Sequence, residues 1–207
     1  MSRSYGQFCG LARALDAVGD RWNLLIVRQL LMGPARFREL LDGLPGVATN
    51  LLTERLRDLE TAGVVERRLA DEGNAIVYAL TPWGAELREP IDGLIRWSAP
   101  LMLRGPGGDS MQPRWLALAL PALLRGKTAR PPAELGIEVD GLLMNLRIDK
   151  DGPHVTVEPD RRPDTVLEAE LEVVLFLAAG AITVDQALPQ ASIDGDPSIL
   201  TTVLGAA

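Results

Sequence analysis

The sequence predicts an α+β chain in two domains, a helical half closed by a β-hairpin and then a mixed half of helices and strands. Three observations carry this. Up to about residue 61 the apolar residues recur at helical spacing, whereas Val65–Leu69 and Ala75–Leu80 are short and β-leaning. Arg104-Gly-Pro-Gly-Gly-Asp-Ser is a glycine-rich polar stretch of linker type. The charge balance changes at the same place: residues 1–104 hold 13 basic and 13 acidic side chains, and residues 105–207 hold 8 and 15. The expected division is 1–104, a linker over 105–111, and 112–207.

The first helix is read over Phe8–Val18, from Leu11, Leu15 and Val18, and Gly19 ends it. Asp20 is placed as N-cap of a second helix running to Leu31, where Gly33-Pro34 stops it. A short third helix covers Arg36–Leu41, and Gly43-Leu-Pro-Gly46 is a turn. The fourth spans Thr49–Thr61, with Gly63 as the left-handed residue after it. Asp71-Glu-Gly-Asn74 supplies the turn between the two β-leaning runs. Thr81-Pro82 then opens a fifth helix, which reaches Trp97 and is ended by Pro100. In the second half, Trp115–Leu124 is helical. Leu135–Asp140, Leu142–Asp149, His154–Glu158 and Thr165–Glu170 are strands, with Asp149-Lys-Asp-Gly152 as a hairpin turn. Leu171–Ala179 and Thr183–Leu188 are helices, Ala191–Ile193 is a last strand, and Pro197–Leu204 closes the chain behind an Asp196 cap.

Helix, four-residue turn, helix and two-stranded ribbon, over Arg36–Leu80, is the order of a winged helix-turn-helix. The fourth helix divides into faces. Leu52, Leu56 and Leu59 form a core stripe, while Thr49, Asn50, Thr53 and Arg57 form a polar one. Asn and Thr can bond base edges, and Arg can reach guanine or a phosphate. Glu54, Asp58 and Glu60 are read as lying elsewhere on the surface. The ribbon contributes Arg67 and Arg68, with Asn74 at its tip, cations suited to the phosphate backbone or minor groove. Such a stripe taken alone is an ordinary solvated helix face; the order of elements and the basic hairpin make double-stranded DNA the expected partner.

The formal net charge of −7 does not exclude that partner, because the excess acid lies beyond residue 104 and DNA binding depends on the phosphates actually touched. Other classes are harder to sustain. The longest apolar run, Leu116–Leu124, is too short for a membrane span and contains Pro121. Met1–Gly6 is polar with no signal-type apolar core behind it. Cys9 is the one cysteine, so an intrachain disulfide is excluded and the cytoplasm is the expected compartment. His154 is the one histidine, and no nucleophile elbow, phosphate loop or dinucleotide fingerprint is present. The paired acids Asp149 with Asp151, and Glu168 and Glu170 with Glu172, have the spacing of solvated edges. No enzyme activity, cofactor or metal is expected.

Residues 9–97 resemble the HxlR-type family of bacterial winged-helix regulators. The matching stretches are Cys9, Gly19-Asp-Arg-Trp22, Arg36-Phe-Arg-Glu-Leu40, Leu52-Thr-Glu-Arg-Leu-Arg-Asp-Leu-Glu60 with Gly63, and Tyr78-Ala-Leu-Thr81 with Gly84 and Leu87. Trp22 and Phe37 are read as core anchors, and Arg36 and Arg38 as residues flanking the backbone-contacting helix. The resemblance implies a homodimer whose two recognition helices read half-sites of a near-palindrome. The first and fifth helices would then supply the dimer surface through Leu11, Leu94, Ile95 and Trp97, residues that could equally be intramolecular core. It also makes Cys9 a candidate redox or electrophile sensor, with Arg13 one turn away to favour the thiolate; the alternative is an inert thiol. Gly10 stands where the family often has proline.

Pro163-Asp-Thr-Val-Leu-Glu-Ala-Glu-Leu, Leu177-Ala-Ala-Gly180 and Ala191-Ser-Ile-Asp-Gly-Asp196 resemble a sterol-carrier-protein type of domain over roughly 112–207. That resemblance implies an apolar tunnel and a hydrophobic small-molecule ligand coupled to DNA affinity. From the residues themselves, Leu142, Met144, Leu146 and Ile148 alternate as one strand face. Met111, Met144 and the leucine-rich helices could line a cavity or fill a core. The rival reading is a lipid carrier whose N-terminal helical module binds a protein partner.

Overall fold

The computed structural model describes residues 4–70 and 74–205. The chain resolves into two compact units, one ending at Ile91 and one beginning at Asp92. Of the expected wing turn, residues 71–73 lie outside the described residues.

The first unit contains α1 (Gly10–Val18), α2 (Asn23–Leu31), α3 (Phe37–Asp42), α4 (Thr49–Thr61), β1 (Val65–Leu69), β2 (Ile76–Leu80) and α5 (Pro82–Ala85), and α6 (Arg88–Met102) starts in it. Its core is aliphatic. Ile26, Val27 and Leu30 of α2, Leu40 of α3, and Leu52, Leu56 and Leu59 of α4 are all at most 4% exposed. Each such side chain contributes roughly 1.5–3 kcal/mol on burial, so the α4 stripe alone outweighs any single polar contact on the surface. α4 packs against α1, α2 and β1. Its bounds are those read from the sequence, and Gly63 follows it at φ +75°.

Three expectations for this unit change. Asp20 does not cap α2. The cap position is Trp22, in the left-handed region at φ 87°, and the Asp20 carboxylate instead accepts from Arg55 of α4 at 2.5 Å. Trp22 and Phe37 are half-buried rather than core; the Arg21 guanidinium lies over the Trp22 ring at 5.7 Å. The expected fifth helix is two helices, broken by a turn at Glu86 and Leu87. Pro90 explains the restart. It falls in the first turn of α6, where an N–H has no intrahelical acceptor to lose. Pro100 does not end α6, which continues to Met102; a proline two residues from the end costs one bond of the last turn.

The second unit holds a 3-10 turn (Pro113–Trp115), α7 (Leu116–Leu123), β3 (Ala133–Val139), β4 (Leu142–Asp149), β5 (Gly152–Val157), β6 (Val166–Ala169), α8 (Leu171–Ala178), α9 (Val184–Ala187), β7 (Ala191–Asp194) and α10 (Ser198–Leu204). The sheet order is β5-β4-β3-β6-β7, antiparallel except for the β3–β6 pair. One sheet face carries Leu135, Ile137, Val139, Met144, Leu146, Ile148 and Leu167. It forms a single core with Leu116 and Leu120 of α7, Val174 and Leu177 of α8, and Leu200 and Val203 of α10. The Lys127 ammonium donates to the Val203 and Gly205 carbonyls at the end of α10, satisfying acceptors that the helix leaves open. Partial burial lowers the pKa of this ammonium. The N-cap position of α10 is Pro197 rather than the expected Asp196, whose carboxylate one residue earlier accepts from the Ser198 N–H at 2.9 Å.

This is an α/β unit, and of the methionines that could line a cavity or fill a core, Met144 fills the core and Met111 does neither. Met144 is 0% exposed among those aliphatic neighbours, and Met111 is exposed at the surface. A cleft of about 500 Å³ is polar rather than apolar, lined by Asp140, Glu168, Glu170, Gln190 and Ser192. No helix among the described residues is long and apolar enough to cross a membrane.

Candidate nucleic-acid interface

α4 turns one face inward and leaves another free. Thr49, Asn50, Thr53 and Arg57 are all exposed and lie within an arc of about 100° around the helix axis. Their side chains differ in what they have left to offer. Arg57 and Asn50 make no side-chain hydrogen bond or ion pair among the described residues. The Thr53 hydroxyl donates to the Thr49 carbonyl at 2.9 Å. It therefore presents a methyl group and a lone pair, not a free donor. The N-cap of α4 is Ala48, which has no side-chain bond to the first turn. The opening N–H groups of this 13-residue helix are thus not covered by a capping side chain.

Glu60 requires a correction. At 3.6 residues per turn it falls about 20° from Thr49, on the reading arc, though three turns further along. The Arg67 Nε donates to it at 2.6 Å. The pair is too exposed to contribute more than about 1 kcal/mol to stability, so its main effect is electrostatic. Arg67 cancels the carboxylate that shares the arc, and is itself less available to phosphate than expected. Arg68 is exposed and has no ion pair among the described residues.

Arg36 and Arg38 are placed by backbone contacts that sequence reasoning missed. Ala35 forms a bridge to β2, its N–H donating to the Tyr78 carbonyl at 3.0 Å and its carbonyl accepting from Tyr78 at 2.8 Å. Arg36 follows as the N-cap of α3, and the Glu39 carboxylate accepts from its N–H at 2.6 Å. The local signal was the Arg36-x-x-Glu39 spacing of a helix start. Arg38 is exposed on the first turn of α3. Asn74 is exposed two residues before β2. Other arginines of this unit are committed elsewhere. Arg55 bonds to Asp20, Glu54 and Asp58, and burial pulls the Arg28 guanidinium down to about 10.

The wing is anchored at one threonine. Thr81 donates its N–H to the Val64 carbonyl at 3.1 Å and its hydroxyl to the Gly63 carbonyl at 2.7 Å, and its oxygen accepts from Gly84 N–H at 3.0 Å. Gly84 has no room for a side chain, since a Cβ there would stand 2.0 Å from the Val64 carbonyl oxygen.

A family described as an HxlR-like helix-turn-helix matches residues 17–104. The regulator YodB of Bacillus subtilis is 35% identical over 86 residues, which are 41% of this chain and 77% of YodB. The chain belongs to the HxlR family. YvaP of the same organism, also named an HTH-type transcriptional regulator, is 39% identical over 87 residues, or 42% of this chain and 81% of YvaP. An HTH-type regulator of Synechocystis, sll1512, is 38% identical over 84 residues, or 40% of this chain; the match spans only 62% of that relative's length. The crystal structure of quinone-bound YodB is 32% identical, covering 44% of this chain and 96% of that one, with a TM-score of 0.39. The HxlR relatives are transcriptional regulators, and the first unit is their DNA-binding helix-turn-helix. The matched residues stop at 104, so most of the C-terminal α/β unit stands outside the family match.

The residues expected at a dimer surface, and Cys9, are exposed, with one exception. Leu11, Leu94 and Trp97 are 69%, 48% and 75% exposed, while Ile95 is half-buried and off that stripe. Leu15, and Leu101 beyond Trp97, are exposed on the same faces. Cys9 is exposed at the N-cap of α1. The backbone N–H groups of Ala12 and Leu11 hold its thiol below the ordinary pKa.

Proposed function

We propose that the protein is a homodimeric, DNA-binding transcriptional regulator that reads two half-sites of a near-palindromic operator. In this reading α4 enters the major groove. Arg57 and Asn50 bond base edges, and Thr49 and Thr53 contact thymine methyl groups and phosphate. Arg36 and Arg38 flank the groove on the backbone, and Arg68 and Asn74 carry the wing contact. Arg67 serves that surface by neutralising Glu60. The observation that carries the reading is a polar arc on which Asn50 and Arg57 have no partner among the described residues, on a helix held in place by the buried Leu52, Leu56 and Leu59, in a chain of the HxlR family. The exposed stripes Leu11 and Leu15 of α1, and Leu94, Trp97 and Leu101 of α6, supply the surface for a second copy.

The test is a mobility shift with the gene's own upstream DNA at moderate salt. Arg57→Ala should weaken the shift in a sequence-dependent way, and Arg68→Ala should weaken it uniformly. An unchanged shift for Arg57→Ala would remove α4 as the reader.

A second reading concerns the signal. Cys9 is exposed, sits at a helix N-cap and has a lowered pKa, the setting of a thiol that reacts with oxidants and electrophiles. Its alkylation rate should rise with pH along a curve centred below that of an ordinary thiol. Cys9→Ser should abolish oxidant-dependent release of DNA; release that persists in this variant would rule the sensor out. A hydrophobic effector of the C-terminal unit is the alternative signal. Native mass spectrometry of the full chain purified from cells, finding no apolar molecule bound, would count against it.

A further inference from the structure

The corner between α1 and α2 grips α4 from the side away from its polar arc. Gly19 ends α1, and Asp20 turns the chain, its carbonyl accepting from the Asn23 N–H at 3.1 Å. The Asp20 carboxylate reaches across to Arg55 at 2.5 Å. Arg55 also bonds Glu54 at 3.0 Å and Asp58 at 2.9 Å, and its side chain is only 14% exposed. Both of those acids lie on α4 itself; of the three, Asp20 alone joins the cation to another element. At about 100° per residue, Arg55 stands roughly 120° or more around the axis from each of Thr49, Asn50, Thr53 and Arg57. It flanks the buried leucine stripe and takes no part in the arc. A second grip lies just before the helix. Trp22 sits at φ 87°, a backbone region that a bulky residue keeps only where its surroundings enforce it. The Arg21 guanidinium lies over its ring. The tip of that ring reaches Gly46, in the turn leading into α4, where a Cβ would stand 3.9 Å from Cη2.

Resting on the DNA-binding reading above, we propose that Asp20 and Arg55 are positioning residues: their ion pair sets the rotation of α4 about its own axis, and with it the aim of Asn50 and Arg57. The buried Leu52, Leu56 and Leu59 hold α4 to the core, but apolar contact is non-directional and leaves small rolls of the helix close in energy. A charge-assisted hydrogen bond is directional, and one placed beside the stripe acts with a lever arm about the helix axis. Trp22 fixes where α4 begins, and Asp20 fixes how it is turned. Because Asp20 stands at the end of α1, the pair also relates the arc to the helix whose exposed face is the proposed dimer surface.

The test uses the full-length protein, a duplex recovered by in vitro selection with it, and a scrambled duplex of the same length. Asp20→Ala removes the partner from the other element while Arg55 keeps Glu54 and Asp58, so no charge is left unpaired. It should lower the ratio of selected to scrambled affinity about fivefold, the most that an ion pair with one exposed partner contributes. Asp58→Ala takes a carboxylate from the same Nη1 but leaves α4 tied to the corner, and should keep that ratio. In an Arg57→Ala background the effect of Asp20→Ala should be markedly smaller, because the aim of a missing side chain no longer counts. An unchanged ratio in Asp20→Ala would overturn the proposal. So would an equal drop in Asp58→Ala, full additivity with Arg57→Ala, or a parallel fall in affinity for both duplexes, since the pair would then only keep the unit folded. If the wild-type protein selects no duplex at all, the DNA reading itself falls and the positioning role with it, an outcome distinct from a loss confined to the Asp20 variant.

Discussion

Helix α4 and the C-terminal sheet solve the same packing problem and leave different surfaces behind. Each buries one face completely and turns a polar face outward. On the outer face of the sheet the charges are tied to one another. Arg147 bonds Glu134 at 2.6 Å and Asp149 at 3.3 Å, Arg162 bonds Glu138, Arg114 bonds Glu158, and Ser192 donates to Glu168. Glu134 and Asp149 acting together raise the Arg147 pKa, while the Asp151 N–H, Arg147 and His154 lower that of Asp149. On α4, Asn50 and Arg57 have no such partners among the described residues. A polar face that has satisfied itself is a surface for water. One left open, beside a scaffold that holds it still, is a surface for a ligand.

Leu56→Ala tests that scaffold and has the largest expected effect. Leu56 is 1% exposed, and truncating such a leucine costs about 2–5 kcal/mol. Urea unfolding should show the loss in the first unit; a cost under 1 kcal/mol would mean α4 is not held by its buried stripe. Next comes Arg57→Ala, which should weaken operator binding by ten- to a hundredfold with Tm unchanged. A comparable loss of Tm would show that Arg57 was committed to the fold after all. Arg67→Ala should weaken binding several-fold by uncovering Glu60, and Glu60→Gln should restore most of it. Lack of rescue would show that Arg67 touches phosphate directly. Thr53→Val should change little, because the hydroxyl proton is already held by the Thr49 carbonyl and the methyl group survives. The smallest effect belongs to the sheet: Arg147→Ala should shift stability by under about 1 kcal/mol and leave DNA affinity where it was.

How much was legible in the sequence follows from how local each signal is. α4 was readable to the residue because its apolar stripe, its start after the Gly43–Gly46 turn and its Gly63 stop all lie within a few positions of one another. The alternation of β4 was readable for the same reason, and so was its two-residue turn into β5. Features that depend on distant partners were not. The bridge between Ala35 and Tyr78 joins segments 43 positions apart. The Asp20–Arg55 pair that displaced the expected cap is likewise long-range. The break at Glu86 and Leu87 does have a local signal, Pro90, whose missing N–H leaves the Glu86 carbonyl without its helical donor. The site was legible as a set of residue types. Which of them remained free was not, since the engagement of Arg67 by Glu60 shows only in three dimensions.

The threonine junction at the foot of the wing bears on how this protein can change over evolutionary time. With Thr81 bonded to Gly63, Val64 and Gly84, and Gly84 too close to Val64 to accept a side chain, α4 and the hairpin behave as a caliper locked at one opening. The distance between what the helix touches and what the wing touches is then a constant of the scaffold. New operators must be acquired by exchanging side chains at the caliper's two points. An insertion at the hinge would spring it open.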